Sequence, residues 1–172
     1  MSPPRHGGSL DRAVAEHGGV HADWLDLSTG INPLPWPVPP IPAEVWERLP
    51  EPSLEEYCLD AARAFYGVPE GAAIVAAPGT QAIIQRLGDL VGANRRIGIV
   101  TPTYGEYDWC LSTPDRVVGT VRAIPSYEDG YDGVVFGNPN NPDGARHDGE
   151  ADRKAVAALL AHNGTVIVDE AF

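Results

Sequence analysis

Four short segments carry the side chains able to do chemistry. Asp169 closes the apolar run Thr165 to Val168. A half-buried acid in that place either caps the next element or is held for function, and then it needs a hydrogen-bonding or cationic partner, such as a protonated heterocycle nitrogen. Gly79-Thr80-Gln81 sits where a strand gives way to a helix. The free N–H groups and dipole of a helix start can hold a phosphate, with the Thr80 hydroxyl as a further donor, and the same residues also serve as ordinary turn and cap chemistry. Tyr104 can stack on a planar ring or pack at the rim of a core. Asn141 lies in Asn138-Pro139-Asn140-Asn141-Pro142, a rigid loop whose residue types are also those of simple turns.

Positioning these residues requires an alternation of strands and helices. Ser9 to His17 reads as a short helix stopped by Gly18-Gly19, a peripheral arm. Between Ile31 and Pro52 the prolines exclude regular helix or central strand, and Trp36 and Trp46 need something to pack on. Ser53 is expected to cap a helix through about Phe65, ended by Gly67 and Pro69. The pattern then predicts a buried strand at Ala73–Ala77, a helix at Gly79–Val91, a strand at Ile97–Val100 and a helix at Tyr104–Leu111. Strands at Arg116–Ile124 and Val134–Phe136, a helix at Glu150–His162 and a last strand at Thr165–Val168 complete it. This is an α/β fold around a mainly parallel sheet, in which ligands sit beyond the carboxyl ends of the strands. Pro78-Gly79-Thr80-Gln81, Pro102-Thr103-Tyr104, the Asn138 loop and Asp169-Glu170-Ala171-Phe172 all fall there.

Composition narrows the classes. A chain of 172 residues with 43% hydrophobic content suits one domain with a sizeable core. The net charge of -12, from 24 acidic against 12 basic residues, repels a phosphodiester backbone and argues against a nucleic-acid partner. No apolar run approaches the roughly 20 residues needed to span a bilayer, and Met1 to Gly8 lacks a signal-peptide core, so a cytoplasmic protein with no membrane partner is expected. Cys58 and Cys110 lack metal-ligand spacing and read as reduced thiols, and no metal site is expected. A plain nucleotide-binding domain is disfavoured because the Rossmann glycine pattern is missing.

Taken jointly, the motifs resemble a known group. Asn138-Pro139-Asn140-Asn141-Pro142-Asp143-Gly144, followed after a helix and strand by Val168-Asp169-Glu170-Ala171-Phe172, resembles the fold-type I pyridoxal-phosphate enzymes of the class I/II aminotransferase superfamily. Pro78-Gly79-Thr80-Gln81-Ala82 and Pro102-Thr103-Tyr104 stand where that group's phosphate-binding and ring-stacking segments belong. His6-Gly7-Gly8 and Asp26-Leu27-Ser28-Thr29-Gly30-Ile31-Asn32-Pro33 are similar to the threonine-phosphate decarboxylases of cobalamin biosynthesis, a subgroup itself similar to histidinol-phosphate aminotransferases.

The resemblance implies a three-layer large domain, a mainly parallel sheet with helices on both faces. Residues 1–35 would be an arm contributing to the substrate site and 36–172 part of the cofactor-binding large domain. The implied cofactor is pyridoxal 5'-phosphate and the implied substrate a small phosphorylated amino acid, decarboxylated in a homodimer. Gly79, Thr80 and Gln81 would hold the cofactor phosphate, Tyr104 would stack on the ring, Asn141 would bond the ring's 3-oxygen, and Asp169 would pair with the pyridinium nitrogen, the central catalytic role. His6, Gly7, Gly30, Asn32 and Asn141 would line the substrate, with His6 a donor to its phosphate unless it is an untethered chain end. The alternatives are an aminotransferase of the histidinol-phosphate type, or an inactive remnant that only binds a phosphate ligand.

Two departures from the resemblance are expected to matter. Phe172 stands where many members place a tyrosine able to reach the ring oxygen. The group's Schiff-base lysine and substrate arginines lie downstream of the Asp169 motif, whereas the only lysine here, Lys154, falls in a predicted helix before it. The 172 residues alone are therefore expected to be inactive, lacking the small domain and the lysine segment, and to carry unpaired apolar strand edges at Ala73–Ala77 and Thr165–Val168.

Overall fold

A computed structural model describes residues 6–171, so Phe172 and Met1 to Arg5 lie outside the described residues. The chain divides into two units: residues up to Ile31 together with those from Gly79 onward, and Asn32–Pro78. The first unit begins with helix α1 (Leu10–His17), preceded by Ser9 and stopped at Gly18, whose φ is 83°.

In the second unit, α2 (Ala43–Glu47) forms directly after Pro42, a short helix inside the stretch from which prolines were expected to exclude one. Its prolines precede the helix and leave its ladder untouched. Helix α3 (Pro52–Tyr66) starts one residue before the expected cap: Glu51 is the N-cap and Pro52 the first helical residue, where a missing N–H costs nothing. It ends at Gly67, in the left-handed conformation with φ 61°. Ala73–Ala77 is unpaired coil instead of a buried strand, because no described strand offers it a ladder. Trp36 and Trp46, expected to find packing partners, are 83% and 75% exposed. This unit of fewer than fifty residues buries none of its side chains.

The remaining elements build the sheet. The expected helix at 79–91 is two short ones, α4 (Thr80–Ile84) and α5 (Leu87–Val91), broken at Gln85–Arg86, where Arg86 has ψ 2°. Then follow β1 (Arg96–Val100), α6 (Glu106–Leu111), β2 (Val117–Val121), β3 (Gly133–Gly137), α7 (Glu150–Ala161) and β4 (Thr165–Asp169). All strands pair in parallel in the order β2-β1-β3-β4. Period-2 alternation splits the core between the faces. Ile97, Ile99 and Val135 meet Ile84, Leu87, Val91, Tyr107 and Leu111 on one side, while Val100, Val134 and Phe136 meet Leu159 of α7 on the other. Helices thus cover both faces, the three-layer arrangement that the resemblance implies. After β1 the chain runs first to β2 on one side and then to β3 on the other, so the strand order reverses at the carboxyl ends of β1 and β3, where open α/β sheets bind ligands.

Candidate active site

Asp169 is the last residue of β4, opposite Gly137 in the β3 ladder. Its backbone carbonyl accepts the Asn138 N–H at 2.8 Å, which extends the pairing one step past the strand. The carboxylate is held by two donors: the Tyr107 hydroxyl reaches Oδ2 at 2.6 Å and the Ala171 N–H reaches Oδ1 at 3.0 Å. Tyr107 is 3% exposed. Burial first, then the hydrogen bond to Asp169 and its negative charge, push the Tyr107 phenol far up, so it remains a donor. The two bonds fix the carboxylate, and its remaining lone-pair positions can take another donor.

Tyr104 stands edge-on to Tyr107 at 5.8 Å between ring centroids. Its own hydroxyl is pushed up by burial and by the charges of Glu106 and Asp169, and it donates to Gln81 Oε1 at 3.1 Å. Gln81 Nε2 donates to Glu106 Oε2 at 3.0 Å, and Glu106 Oε1 meets His6 Nε2 at 2.7 Å. The structure therefore joins Gln81, Tyr104 and Asp169, which stand at strand ends, in one continuous set of contacts with His6 of the N-terminal segment. Glu106 and Tyr107 are the links that the sequence does not announce. An acid in the first turn of a helix ordinarily serves the helix dipole, and a helical tyrosine ordinarily packs in the core.

Gly79 precedes α4 with φ 81°, and no heavy atom lies within 4 Å of where its Cβ would stand. The approach to the first N–H groups of α4 and to Thr80 is open on that side. Asn141 is half-buried in the loop after β3, and its side chain makes no hydrogen bond among the described residues. Its neighbour Asn140 does the anchoring. Asn140 accepts the Thr103 hydroxyl at 2.7 Å and donates to the Pro102 carbonyl and to Asp143, each at 2.7 Å, so it ties the loops after β1 and β3 together.

The expected substrate residues are placed unevenly. Gly7 packs so closely on Ser28 that a Cβ would stand 2.1 Å from the Ser28 carbonyl oxygen, and the next N–H, of Gly8, bonds Ser28 Oγ at 2.8 Å. Gly30 is exposed in the same unit. Asn32 belongs to the other unit, where it accepts the Leu34 N–H at 2.9 Å. Lys154 is exposed and paired with Glu150 at 2.7 Å along α7, a solvated helix residue. Phe172, expected to replace a ring-contacting tyrosine, lies outside the described residues.

A model of the family described as aminotransferase class I and II matches residues 23–172. The chain belongs to this family. Among curated relatives, a threonine-phosphate decarboxylase of Sinorhizobium sp is 41% identical over 172 residues, 99% of this chain and 51% of that protein. A threonine-phosphate decarboxylase of Pseudomonas aeruginosa is 35% identical over 169 residues, 97% of this chain and 49% of its own. The chain thus spans about half the length of the curated relatives it matches. Among solved structures, the histidinol-phosphate aminotransferase of Clostridium acetobutylicum aligns with a TM-score of 0.51 and 27% identity, covering 70% of this chain and 38% of that one. An aminotransferase of Mycobacterium tuberculosis gives the same TM-score at 23% identity over 64% of this chain and 35% of that one, a likeness of fold.

The donor set fits the cofactor that the family implies. An open glycine-led helix start, an aromatic face held by Gln81, and a carboxylate held by two donors at the end of β4 match a phosphate, a planar ring and a cationic ring nitrogen in turn.

Proposed function

We propose that the protein carrying this chain binds pyridoxal 5'-phosphate and removes carbon dioxide from L-threonine O-3-phosphate, giving the aminopropanol phosphate used in cobalamin assembly. The observation that carries this reading is Asp169, clamped by Tyr107 and Ala171 within the Tyr104–Gln81 network, in a chain whose curated relatives are named threonine-phosphate decarboxylases.

When bound, the cofactor supplies an electron sink for the pair left on the substrate's α-carbon as carbon dioxide departs. The ionised Asp169 holds a proton on the ring nitrogen by charge-assisted hydrogen bonding. Tyr104 presents its ring face, oriented by the bond from its hydroxyl to Gln81. The α4 N–H groups with Thr80 and Gln81 hold the phosphate, and Asn141, with no side-chain hydrogen bond among the described residues, donates to the ring oxygen. His6, Gly7 and Gly30 line the substrate, whose phosphate is the feature that separates it from free threonine. The reading also carries a homodimer and a cytoplasmic setting; among the described residues no helix is long and apolar enough to cross a membrane.

The test is pyridoxal phosphate titration of the wild-type protein and Asp169→Asn, followed by carbon dioxide release from L-threonine O-3-phosphate. Saturable binding weakened by Asp169→Asn, with carbon dioxide release, supports the reading. Binding without turnover points to an inactive phosphate-binding remnant, and no binding rejects the reading. A second reading, an aminotransferase of the histidinol-phosphate type, is favoured by the 27% identity to the Clostridium acetobutylicum structure. In that case amino transfer replaces gas release in the same assay.

A further inference from the structure

Glu106 has no part in the roles assigned above, yet it is a carboxylate only 7% exposed. A charge so far removed from water persists only with partners. One of its oxygens is satisfied from its own surroundings, by Gln81 Nε2 at 3.0 Å, with the Cys110 thiol a weak contact at 4.0 Å. The other is left to His6, a half-exposed side chain from a different part of the sequence, at 2.7 Å.

The segment that His6 leads is held together internally. Gly8 bonds Ser28, Ser28 bonds Asp26, Val20 bonds Asp23, Asp11 meets His21, and the Trp24 indole reaches the Gly18 carbonyl. Each of these bonds begins and ends before Ile31. Among the described residues, the His6–Glu106 contact is the one hydrogen bond that joins this segment to the α/β body. It also brings the His6 ring to 5.6 Å from the Tyr104 ring, tilted by 42°.

We propose that Glu106 is a positioning residue that seats the N-terminal segment on the α/β body through His6, so that one buried carboxylate sets both the Gln81–Tyr104 side of the site and its Gly7–Gly30 side. The substrate half of this proposal rests on the functional reading above.

The seating is read without any ligand, from the nuclear Overhauser cross-peak between the His6 and Tyr104 rings in the protein as its gene encodes it. Glu106→Leu keeps the bulk and removes both acceptors, and the cross-peak is expected to vanish. His6→Ala, altered at a half-exposed position, is the companion variant that leaves the core alone. In the active protein, each single variant is expected to raise KM for L-threonine O-3-phosphate by about tenfold, the size of one charge-assisted hydrogen bond, with most of the loss of kcat/KM carried by KM. The double variant should lose no more than Glu106→Leu alone, because Glu106 reaches the N-terminal segment through His6. A cross-peak that survives Glu106→Leu, or losses that add in the double variant, would overturn the proposal. Failure of the wild-type protein to bind pyridoxal phosphate overturns the functional reading instead, and leaves the seating to be judged on the cross-peak.

Discussion

Adjacent asparagines in the loop after β3 should respond in opposite ways to the same substitution. Asn140 is 8% exposed and makes three side-chain bonds of 2.7 Å, to Thr103, Pro102 and Asp143. Asn140→Ala removes all three, at about 1 kcal/mol net each. Pro102 is exposed, so its carbonyl can return to water, and the expected loss is about 2–3 kcal/mol. Asn141 has no such partner among the described residues, so Asn141→Ala should stay within about 0.5 kcal/mol of wild type while weakening pyridoxal phosphate binding about tenfold, by one hydrogen bond to a charged oxygen. Urea unfolding gives the first quantity, with an unchanged slope as the sign of an intact fold. Cofactor titration gives the second. A further check lies in Asp143, whose carboxyl the Asn140 amide, and then the Ala145 N–H, hold below the usual aspartate range. A depressed folded-state value contributes stability above about pH 3.9 that is lost as pH falls through the folded value, so the gap between wild type and Asn140→Ala should narrow in acid. If Asn141→Ala proves the more destabilising, or Asn140→Ala leaves the midpoint unmoved, the division between an anchoring and a ligand-facing asparagine is wrong.

Tyr107→Phe should destabilise by about 1.5–3 kcal/mol at neutral pH, through loss of a bond to a charged group. Because the folded-state phenol is raised, its contribution is present below about pH 10 and lost above it, so the variant should show a flatter alkaline decline in unfolding free energy. Arg116, with its side chain 10% exposed, donates to the Gly92 and Gly88 carbonyls at 2.6 Å each and to Thr113 at 2.7 Å, closing off the end of α5. Arg116→Ala should cost about 2–3 kcal/mol in urea unfolding, and Arg116→Lys should not restore it, since an ammonium cannot reproduce the fork. Gly98 and Gly119 pair across β1 and β2 beneath the Tyr131 ring, and a Cβ on Gly119 would stand 2.7 Å from the Tyr131 hydroxyl. Gly119→Ala should therefore cost about 1–3 kcal/mol by overpacking, while Tyr131→Phe in the same background should recover part of it.

The sheet was legible where apolar runs are continuous. Ile97–Val100 and Val134–Phe136 read as strands and Thr165–Val168 as a buried one, and each lies within a strand of the structure, though Thr165–Val168, at the edge of the sheet, is only partly buried. Ala73–Ala77 looks similar on the page, yet small apolar residues do not reveal whether a neighbouring strand exists to pair with. The break between α4 and α5 escaped the reading because a period of 3.6 continues through Gln85–Arg86 in residue type though not in backbone angle. At the site, Gln81, Tyr104 and Asp169 were visible because each closes or follows an apolar segment. Glu106 and Asn140 were not, since a carboxylate in the first turn of a helix and an asparagine between prolines normally face water. Their burial goes with contacts to residues distant in sequence, His6 and Gln81 on Glu106 and Thr103 and Pro102 on Asn140.

The pairing of Gly137 with Asp169 is the final rung of the β3–β4 ladder. Side chains alternate along a strand, so a single residue inserted or deleted within Thr165–Asp169 would turn the carboxylate to the α7 side of the sheet and present its neighbour to Tyr107. The connection between α7 and β4, by contrast, can change length without altering which way Asp169 points. Evolutionary drift in length should therefore be absorbed around His162 to Gly164 and refused in the five residues that follow.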